Sequence, residues 1–586
     1  MRSPTLLLLS LFLLASGPLR AATDPAKSLN DFLAAEWEYS MQQNPVGASY
    51  LGDRRFNDRW DDQSLAAIAA RHEHHKAALG RLAAIPRAKL PAADQLNYDL
   101  YELDLKNRIE GDRFRFYLMP VNQREGPQTA DDTAASLRFE TLKDYEDWIA
   151  RLQKFPVVLA QTTDLMREGA KARIVQPKIV MQRVPAQLAK QIIEKPEDSG
   201  FFRPFKKFPA TIAAADQQRL SEAARKAISE GVVPAFVKFK DFFEKEYLPA
   251  SYDGVGIWQH PDGAAAYAYA ARVSTTTTLT PQQIHDIGLK EVARIRAEME
   301  KIKDQVGFKG ALGEFFTYLR SDPKFFYRTG EELLEAYRAM AKETDPQLVK
   351  VFKIMPRMPY GVTPIPAMIA PDTTTAYYSE PSADGSRAGR YFVNLYKPET
   401  RPKWEMRALS LHESVPGHHF QIAIAMEQGE LPKFRRYAGY TAYVEGWALY
   451  SESLGNEMGL YDDPYEKFGE LTYDMWRAVR LVVDTGMHSL KWDRQKAIDF
   501  FLANAAKTEL DVTNEIDRYI SWPAQALAYK VGQLKIRELR TRATAALGDK
   551  FDLRDWHDQL LSSGAVPLEV LERRMDAWVA ARLAKK

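Results

Sequence analysis

The 586-residue sequence contains no cysteine, and this absence excludes several kinds of chemistry at once. Disulfides, thiolate metal sites, iron–sulfur clusters and cysteine nucleophiles all need the missing side chain. The charges are nearly balanced, with 80 Lys and Arg against 78 Asp and Glu, so no excess of positive charge favours nucleic-acid binding. Beyond the N-terminal segment there is no apolar run long enough to span a bilayer. The sequence therefore predicts no nucleic-acid partner, and no integral membrane segment once the N-terminal segment is removed.

The first 22 residues have the order of a secretory signal peptide. A basic start at Arg2 is followed by an apolar run over residues 6–15, and small residues then lead to Ala22. The apolar run is about ten residues long, whereas a membrane-spanning helix needs roughly twenty. The mature protein is therefore predicted to be exported, and to be periplasmic if the source is Gram-negative and secreted otherwise. No cysteine follows the signal to carry a lipid.

Apolar residues recur at helical spacing through most of the remaining chain, which predicts a mostly α fold. The clearest helix start has Thr280 as the N-cap and Pro281 at the first helical position. Residues 390–396 are rich in β-forming side chains and are predicted as a strand, whereas the proline-rich residues 355–366 are predicted as an irregular connector. The predicted organisation is a signal peptide (1–22), an N-terminal helical region (23–280) and a C-terminal catalytic region (281–586), the last two being parts of one large helical unit.

A histidine-rich motif begins at His412. In the metal-binding helix of zinc peptidases, two histidines stand four residues apart, so that both imidazoles reach one metal from one face. Here the next histidines, His418 and His419, follow His412 by six and seven residues. On a regular helix the sixth position points to a different face, and the seventh lies about 10 Å along the axis. A regular helix therefore does not bring either pair to one metal ion.

Pro416 and Gly417 lie between these histidines and resolve the spacing. Proline removes the helical hydrogen bond to the carbonyl of His412, and glycine accepts the backbone conformation that a bulge needs. If two residues are looped out of the helix, His418 takes the place of the second histidine of the four-residue motif. His419 remains an alternative second ligand, since it needs only a different local path.

Two carboxylates downstream suit a metal site of this kind. Glu445 follows His418 by 27 residues, enough for one loop and a returning helix, and is a candidate third ligand. Glu452 lies seven residues further on, on the same face of a regular helix, and suits a hydrogen bond to one of the ligands. A solvated carboxylate on the helix surface is the alternative for Glu452.

A third segment places Arg480, Asp484 and His488 on one helix face, since they are spaced by four residues. An aspartate four residues before a histidine can orient the imidazole and raise its pKa. His488 is therefore a candidate donor of a hydrogen bond to a developing oxyanion, with Asp484 supporting it. An ion-paired helix surface is the alternative for this face.

Four segments together resemble one bacterial family. They are residues 412–421 (His-Glu-x-x-Pro-Gly-His-His-x-Gln), 445–448 (Glu-Gly-Trp-Ala), 480–488 (Arg-Leu-Val-Val-Asp-Thr-Gly-x-His) and 523–532 (Pro-x-Gln-Ala-x-x-Tyr-Lys-x-Gly). The chain resembles the DUF885 family, which is catalogued mainly as proteins of unknown function and is similar to gluzincin-type metallopeptidases. The likeness runs from soon after the signal to near the C-terminus. It implies a large helical zincin-like fold with a short β-sheet edge beside the active-site helix.

The resemblance also implies roles for the residues of the motif. His412, His418 and Glu445 would hold a zinc ion, and Glu413 would be the general base. Because of the Pro-Gly insertion, the ligand geometry of the four-residue motif cannot be transferred directly to this site.

The resemblance adds candidates for stabilising the oxyanion. Tyr519 and Tyr529 are both candidates, and only one of them is needed beside His488. Each such donor is typically worth about 3 kcal/mol to the transition state. A half-buried aromatic residue whose hydroxyl meets water is the alternative for either tyrosine.

The resemblance also implies where a peptide substrate would lie, and the sequence offers further substrate-binding candidates of its own. The strand at Val393 and Asn394 would lie beside the active-site helix and pair with an extended peptide. Arg480, Arg518 and Lys530 are candidates for gripping a substrate carboxylate.

The predicted function is therefore an exported zinc-dependent metallopeptidase, in which Glu413 takes a proton from a metal-activated water. One alternative is a zinc hydrolase that cleaves a non-peptide amide or ester. Another is an exported peptide-binding protein with a structural metal, although structural zinc normally has four protein ligands and no spare base. The sequence does not distinguish endopeptidase from exopeptidase action, and it predicts no oligomeric state.

Overall fold

The computed structural model describes residues 24–584, apart from residues 368–369, 371–373, 383, 386 and 438. The predicted signal peptide over residues 1–22 lies outside the described residues. Within the described part of the chain, no helix combines the length and the apolar character that crossing a membrane requires.

Helices make up most of the described chain, which confirms the predicted mostly α class. The α-helices that precede residue 280 are α1 Pro25–Gln43, α2 Pro45–Tyr50, α3 Leu65–Ala83, α4 Ala92–Gly111, α5 Thr133–Ser136, α6 Leu142–Ala172, α7 Lys178–Met181, α8 Val184–Lys190, α9 Ala214–Ala227, α10 Val233–Phe242, α11 Leu248–Ala250 and α12 Gly263–Thr275. The α-helices that follow it are α13 Pro281–Gln305, α14 Leu312–Ser321, α15 Gly330–Thr344, α16 Lys403–Glu413, α17 His418–Glu427, α18 Lys433–Arg436, α19 Thr441–Ser453, α20 Gly455–Met458, α21 Pro464–His488, α22 Arg494–Asn504, α23 Glu509–Ser521, α24 Leu527–Leu547, α25 Leu553–Leu561 and α26 Leu568–Ala584.

The start of α13 follows the predicted capping signal. Thr280 is the N-cap and its side chain accepts a hydrogen bond from the backbone N–H of Gln283, whose own side chain returns to the backbone of Thr280. Pro281 occupies the first helical turn, where its missing N–H has no helical partner to lose. Local sequence therefore suffices to place this helix start.

A three-stranded sheet interrupts the helices, with β1 at Tyr360–Pro364, β2 at Ala376–Ser379 and β3 at Gly389–Val393. The strand order is β1-β3-β2, in which β1 runs parallel and β2 antiparallel to β3. The predicted strand over 390–396 exists as β3, although it ends at Val393. The irregular connector predicted over 355–366 is wrong in part, because β1 lies within it; its prolines are tolerated since β1 is at an edge of the sheet.

The order of the strands corrects the prediction for Val393 and Asn394. Because β3 is the central strand, both of its edges are already paired and no peptide can add to it. Asn394 is buried, donates to the carbonyl oxygens of Ala370 (2.8 Å) and Thr374 (3.1 Å), and so secures the loop before β2. The edge strand that contacts the histidine-bearing helix α16 is β2.

The buried core crosses the predicted boundary near residue 280. Its largest cluster includes Trp148 and Phe236 from the N-terminal region together with Val292 and Phe501 from the C-terminal region. The long helices α13 and α21 pack along one another, and so do α19 and α24. The division into 23–280 and 281–586 stays a prediction from sequence, although one apolar cluster serves both parts.

Helices α19 and α24 approach unusually closely at a pair of glycines. A Cβ atom on Gly446 of α19 would lie 2.5 Å from the Cα of Gly532 in α24, and a Cβ on Gly532 would collide with the carbonyl oxygen of Ala442. Only residues without side chains allow this approach. The crossing fixes Glu445, the neighbour of Gly446, against the first turns of α24.

Candidate metal centre

The histidine motif occupies a sharp junction between two helices. Helix α16 ends at Glu413 and α17 begins at His418, so residues 414–417 form a turn that includes a cis peptide bond at Val415-Pro416. A Cβ atom on Gly417 would collide with the carbonyl oxygen of His412. The prediction of one helix with two residues looped out is therefore wrong in detail: the helix breaks completely, since Pro416 has no N–H to continue it.

This junction brings His412, His418 and Glu445 together. Glu445 Oε2 lies 3.7 Å from Nε2 of His412 and 3.3 Å from Nε2 of His418. The two imidazole planes are perpendicular, at 89°, with their centroids 4.8 Å apart. All three donor atoms lie within 4.8 Å of one another, close enough to share one metal ion.

The donor atoms of this triad fit a metal ion. Glu445 Oε2, the oxygen that faces both histidines, is buried and has no hydrogen-bond partner of good geometry. A buried polar atom without a partner is unusual and calls for an explanation such as an ion. Two imidazole nitrogens and one carboxylate oxygen are the ligand set of many catalytic zinc sites. Within the described ranges, no other group of three His, Asp or Glu residues is placed this way.

Glu452 supports His412 from behind. Its Oε1 lies 2.8 Å from Nδ1 of His412 and 3.5 Å from the guanidinium of Arg477. This contact leaves Nε2 of His412 pointing at the triad, and ligand histidines commonly have such a partner. With 1% of its surface exposed, Glu452 is not the solvated carboxylate of the alternative interpretation.

His412 and Glu445 affect one another's pKa values. Burial alone lowers the pKa of His412, but the adjacent carboxylates of Glu445 and Glu452 outweigh it and raise the pKa to about 9. Burial raises the pKa of Glu445, but the close approach of the His418 and His412 imidazoles holds it well below its usual range. Glu445 is therefore ionised, as a metal ligand must be.

His419, the alternative ligand, is engaged elsewhere. Its Nδ1 lies 2.9 Å from the hydroxyl of Tyr378 on β2, and its Nε2 lies 2.9 Å from the carbonyl oxygen of Met358. Burial lowers the pKa of His419 to about 4, so the ring is neutral near pH 7. With both nitrogens occupied, His419 ties α17 to the sheet, and the geometry favours His418 as the second ligand.

Glu413 is the free carboxylate of the motif. It follows His412 at the end of α16 and is half-buried. No described residue forms a hydrogen bond or an ion pair with it. A carboxylate left unpaired next to a metal ligand is able to accept a proton.

Tyr519 and Tyr529 have very different surroundings. The hydroxyl of Tyr519 donates to Glu515 (2.6 Å) and accepts hydrogen bonds from Arg480 (2.7 Å) and Trp476 (3.0 Å), so nothing remains for a substrate. Tyr529 lies one turn before Gly532 at the α19–α24 crossing. Burial raises the pKa of Tyr529, and the negative charge of Glu445 raises it further. The oxyanion role predicted for Tyr519 is not retained, and Tyr529 remains the candidate of the two.

The residues that build this centre lie within a region matched by one protein family. The family described as "Bacterial protein of unknown function (DUF885)" matches residues 45–575.

The chain belongs to the DUF885 family.

Solved structures extend this result. A protein from Colwellia psychrerythraea described as a "putative lipoprotein" has a TM-score of 0.89 and 31% sequence identity, and the match covers 96% of this chain and 100% of that one. A "putative lipoprotein of unknown function" from Shewanella oneidensis has a TM-score of 0.69 and 18% identity, covering 94% and 100% of the two chains, which shows a shared fold. No curated protein is significantly similar to this chain.

A third structure is described as "PZ PEPTIDASE A with inhibitor 2". It aligns with 12% identity and a TM-score of 0.35 over 86% of this chain and 93% of that one. A likeness this remote carries no conclusion about the activity of the DUF885 chain.

His488 does not have the catalytic position predicted for it in this DUF885 protein. Its Nδ1 accepts a hydrogen bond from the backbone N–H of Ile257 (3.1 Å), and its Nε2 donates to the carbonyl oxygen of Tyr519 (3.0 Å). Burial lowers its pKa to about 4. Since the neutral ring has no N–H left for an oxyanion, the oxyanion role is not retained, and His488 instead joins α21 to α23.

Asp484 is not the partner of His488 either. Its Oδ1 accepts hydrogen bonds from the hydroxyl of Tyr267 (2.6 Å) and the backbone N–H of Ala524 (3.1 Å). The three residues do share a face of α21 as predicted. However, this part of α21 is surrounded by other elements, so the three side chains bond to those elements and not to one another.

The substrate-binding role predicted for Lys530 is also corrected. Lys530 is completely buried, and its ammonium contacts Asp474 (2.6 Å), Glu291 (2.9 Å) and Gln533 (2.8 Å). These contacts join α24 to α13 and α21 and leave no donor for a substrate. Its substrate-binding role is replaced by a structural one.

Arg480 and Arg518 share one carboxylate that sequence reasoning missed. Glu515 accepts from Nη2 of Arg480 and from Nη1 of Arg518, both at 3.1 Å. Glu515 lies three residues before Arg518 and four before Tyr519 in α23, so helical spacing was a signal for it. No such signal marked Arg124, whose guanidinium lies 5.5 Å from the ring of Trp522 in the same area, because it comes from a distant part of the chain.

Proposed function

We propose that this chain is a zinc-dependent metallopeptidase that hydrolyses peptide bonds outside the cytoplasm. The observation that carries the proposal is the triad of His412, His418 and Glu445, whose donor atoms lie within 4.8 Å of one another. Glu413, with an unpaired carboxylate, directly follows His412 in the sequence. Three protein ligands leave a coordination position open, as catalytic zinc sites do. A structural zinc site has no open coordination position and needs no general base, so the presence of Glu413 favours a catalytic site.

The chemistry of the site follows from its residues. A zinc ion held by the triad would supply Lewis-acid activation of water and of the carbonyl to be cleaved. Glu413 takes the proton from the attacking water and passes it to the leaving amine. The hydroxyl of Tyr529 donates to the developing oxyanion, an interaction typically worth about 3 kcal/mol.

The sheet supports a peptide as the substrate. Edge strand β2 (Ala376–Ser379) contacts α16, and no described strand pairs with its outer edge. An extended peptide can add to such an edge through main-chain hydrogen bonds. Tyr378 on β2 reaches His419, which directly follows the proposed ligand His418, so a peptide on this edge would pass the centre.

Export is supported by two independent features. Residues 1–22 have the pattern of a cleaved signal. The similar proteins from Colwellia and Shewanella are each described as a "putative lipoprotein", and lipoproteins are a class of exported protein.

The test is a mass-spectrometric digest of a mixed peptide library. Mature wild-type protein and the Glu413→Gln variant are compared, each with zinc and with a chelator. Only zinc-loaded wild type is expected to cleave, while Glu413→Gln binds an equal amount of zinc and loses at least about a hundredfold in rate, the size expected for a general base. Glu430→Gln removes an exposed carboxylate that has no described partner and serves as the charge-matched control.

Two results would contradict the proposal. Normal cleavage by Glu413→Gln would remove Glu413 from the mechanism. No cleavage by zinc-loaded wild type would exclude peptidase action on this library, and ester and non-peptide amide substrates would be screened next.

A further inference from the structure

Three guanidinium groups converge at the end of α23, next to the proposed catalytic centre. Arg124 and Arg518 lie 5.5 and 5.7 Å from the ring of Trp522, and Arg480 lies 4.4 Å from the ring of Tyr529. Arg518 also approaches the Tyr529 hydroxyl, at 3.4 Å. The cluster therefore adjoins Tyr529, which lies one turn before Gly532 at the crossing with the helix that carries Glu445.

Carboxylates approach the cluster but do not occupy every guanidinium donor. Glu515 is shared between Arg480 and Arg518, and Glu125 accepts a hydrogen bond from the indole N–H of Trp522 at 3.1 Å. A third carboxyl group, Asp484, also interacts with the charges of Arg480 and Arg518, and it is held by the hydroxyl of Tyr267 and the backbone N–H of Ala524. Nη1 of Arg480 is buried without a hydrogen-bond partner. A buried donor without a partner is unfavourable unless a ligand completes it.

A cavity of about 620 Å³ opens beside the cluster. Trp522 and Gln525 line it, and Gln525 Oε1 accepts a 2.6 Å hydrogen bond from Arg518. Its walls are mainly apolar and include Met119, Val255, Ile257, Val273 and Ile520. A cavity of this size has room for one or two amino-acid side chains and is typical of small-ligand sites.

The cavity, the cluster and the triad follow one another in space. Gln525 connects the cavity to Arg518, Arg518 approaches Tyr529, and Tyr529 lies one turn before Gly532, which packs against Gly446, the neighbour of Glu445, at the crossing of α19 and α24. A peptide lying across the centre would therefore place its C-terminal part at the arginines.

We infer that Arg124 and Arg518 bind the C-terminal carboxylate of a peptide whose last side chains enter the cavity. The inference rests on the proposed peptidase function and makes the enzyme a carboxypeptidase that releases one or two residues and prefers apolar C-terminal side chains. Guanidinium groups suit this role because their paired N–H donors match the two oxygens of a carboxylate. Arg480 holds the cluster in place through Tyr519 and Glu515 and is a positioning residue.

The first experiment measures binding without turnover. Zinc-loaded Glu413→Gln protein is titrated by calorimetry with one peptide that ends in Leu, prepared with a free C-terminal carboxylate and with a C-terminal amide. The amide is expected to bind about 10- to 100-fold more weakly, since a hydrogen-bonded charge is lost. Equal affinity of the two peptides would overturn the inference.

The second experiment removes the arginines one at a time. Arg124→Gln changes an exposed side chain and is expected to fold normally, whereas Arg518→Gln also loses its contact with Glu515. Both variants are expected to bind the acid nearly as weakly as the amide while the affinity for the amide changes little. Arg167→Gln, an exposed arginine on α6 paired with Glu246, is the matched control and should keep the full preference.

The positions of cleavage separate this inference from the proposed function. Release of one or two C-terminal residues from the free acid, with little from the amide, supports both. Cleavage of internal bonds at equal rates in acid and amide would leave the peptidase proposal intact and overturn the carboxylate site. If neither peptide is cleaved, the peptidase proposal fails, and the calorimetric comparison still decides whether the arginines recognise a carboxylate.

Discussion

At the scale of single residues, Asp484 is the buried carboxyl group with the clearest effect on pH dependence. It is fully buried, its Oδ1 accepts two hydrogen bonds, and its Oδ2 has no partner. Burial raises its pKa to about 7, against 3.8 ordinarily, and the donors from Tyr267 and Ala524 offset only part of this. The group is therefore protonated in the folded protein at acidic pH and must ionise in an apolar setting above pH 7.

The sign of the resulting pH effect follows from linkage. A folded-state pKa above the unfolded value gives stability that is complete below about pH 3.8 and is lost as the pH rises through about 7. The loss is at most about 4 kcal/mol at 1.36 kcal/mol per pKa unit. Asp484→Asn cannot ionise, so its stability relative to wild type is expected to increase between pH 4.5 and pH 8. Urea unfolding at several pH values measures this, with exposed Asp253→Asn as the control, and a difference independent of pH would contradict it.

The two adjacent histidines give a sharp prediction at the same scale. His418→Ala is expected to release zinc because it removes one of three ligands, whereas His419→Gln should retain it. Glutamine can keep the hydrogen bond that His419 donates to the carbonyl of Met358. Metal analysis after gel filtration measures the zinc content of both variants. Zinc lost from His419→Gln and kept by His418→Ala would reassign the second ligand.

Sequence reasoning went furthest where chemistry depends on local spacing. His412, Glu413, His418 and Glu445 were all selected from spacing and motif, and the fold places the three candidate ligands together. It failed for His488 and Asp484, because helical spacing says which side chains share a face but not what packs against that face.

At the scale of secondary structure, the break between α16 and α17 depends on one glycine. Gly417→Ala would place a Cβ atom against the carbonyl oxygen of His412, so the backbone must move and carry a proposed ligand with it. Overpacking of this kind typically costs about 1–3 kcal/mol. We expect lower stability and weaker zinc binding, measured by thermal unfolding and by competition with a chelating dye.

Gly429→Ala is the matched control for this variant. It lies just after α17, and a Cβ atom there would meet no other atom within 4 Å. Similar zinc affinity in the two variants would show that the junction is not what positions His418.

The sheet shows the limit of prediction for an element. Residues 390–396 were recognised as a strand from their β-forming side chains, and a strand exists there. Its position in the centre of the sheet depends on β1, which lies in a proline-rich stretch, and on β2, which is only four residues long. Pairing partners are set by tertiary contacts, so the sequence predicted the strand without its neighbours.

At the scale of the whole molecule, metal binding should stabilise the fold. The proposed ligands come from α16, α17 and α19, three buried elements that an ion would hold together. A ligand that binds only the folded state adds about 2.7 kcal/mol at a hundred times its Kd. Chelation is therefore expected to lower the Tm of wild type and to leave His418→Ala unchanged, as scanning fluorimetry can measure. An equal shift in both proteins would place the stabilising metal elsewhere.

The overall class was predictable because helical periodicity and capping are repeated many times along the chain. Thr280 and the start of α13 are an example in which local signals alone fix a boundary. The cluster around Arg124 was not predictable, since Arg124 and Arg518 are separated by almost 400 positions and meet only in the folded protein. Long-range convergence of this kind leaves no periodic trace in one sequence.

The glycine crossing of α19 and α24 determines where new substrate preferences can evolve. Gly446 and Gly532 leave no space to fill, so mutation at this contact can only push Glu445 away from Tyr529. The cavity wall has no such restriction, because side chains such as Met119 and Val273 project from separate loops and helices. Directed evolution for altered specificity should therefore diversify the wall and leave the crossing untouched.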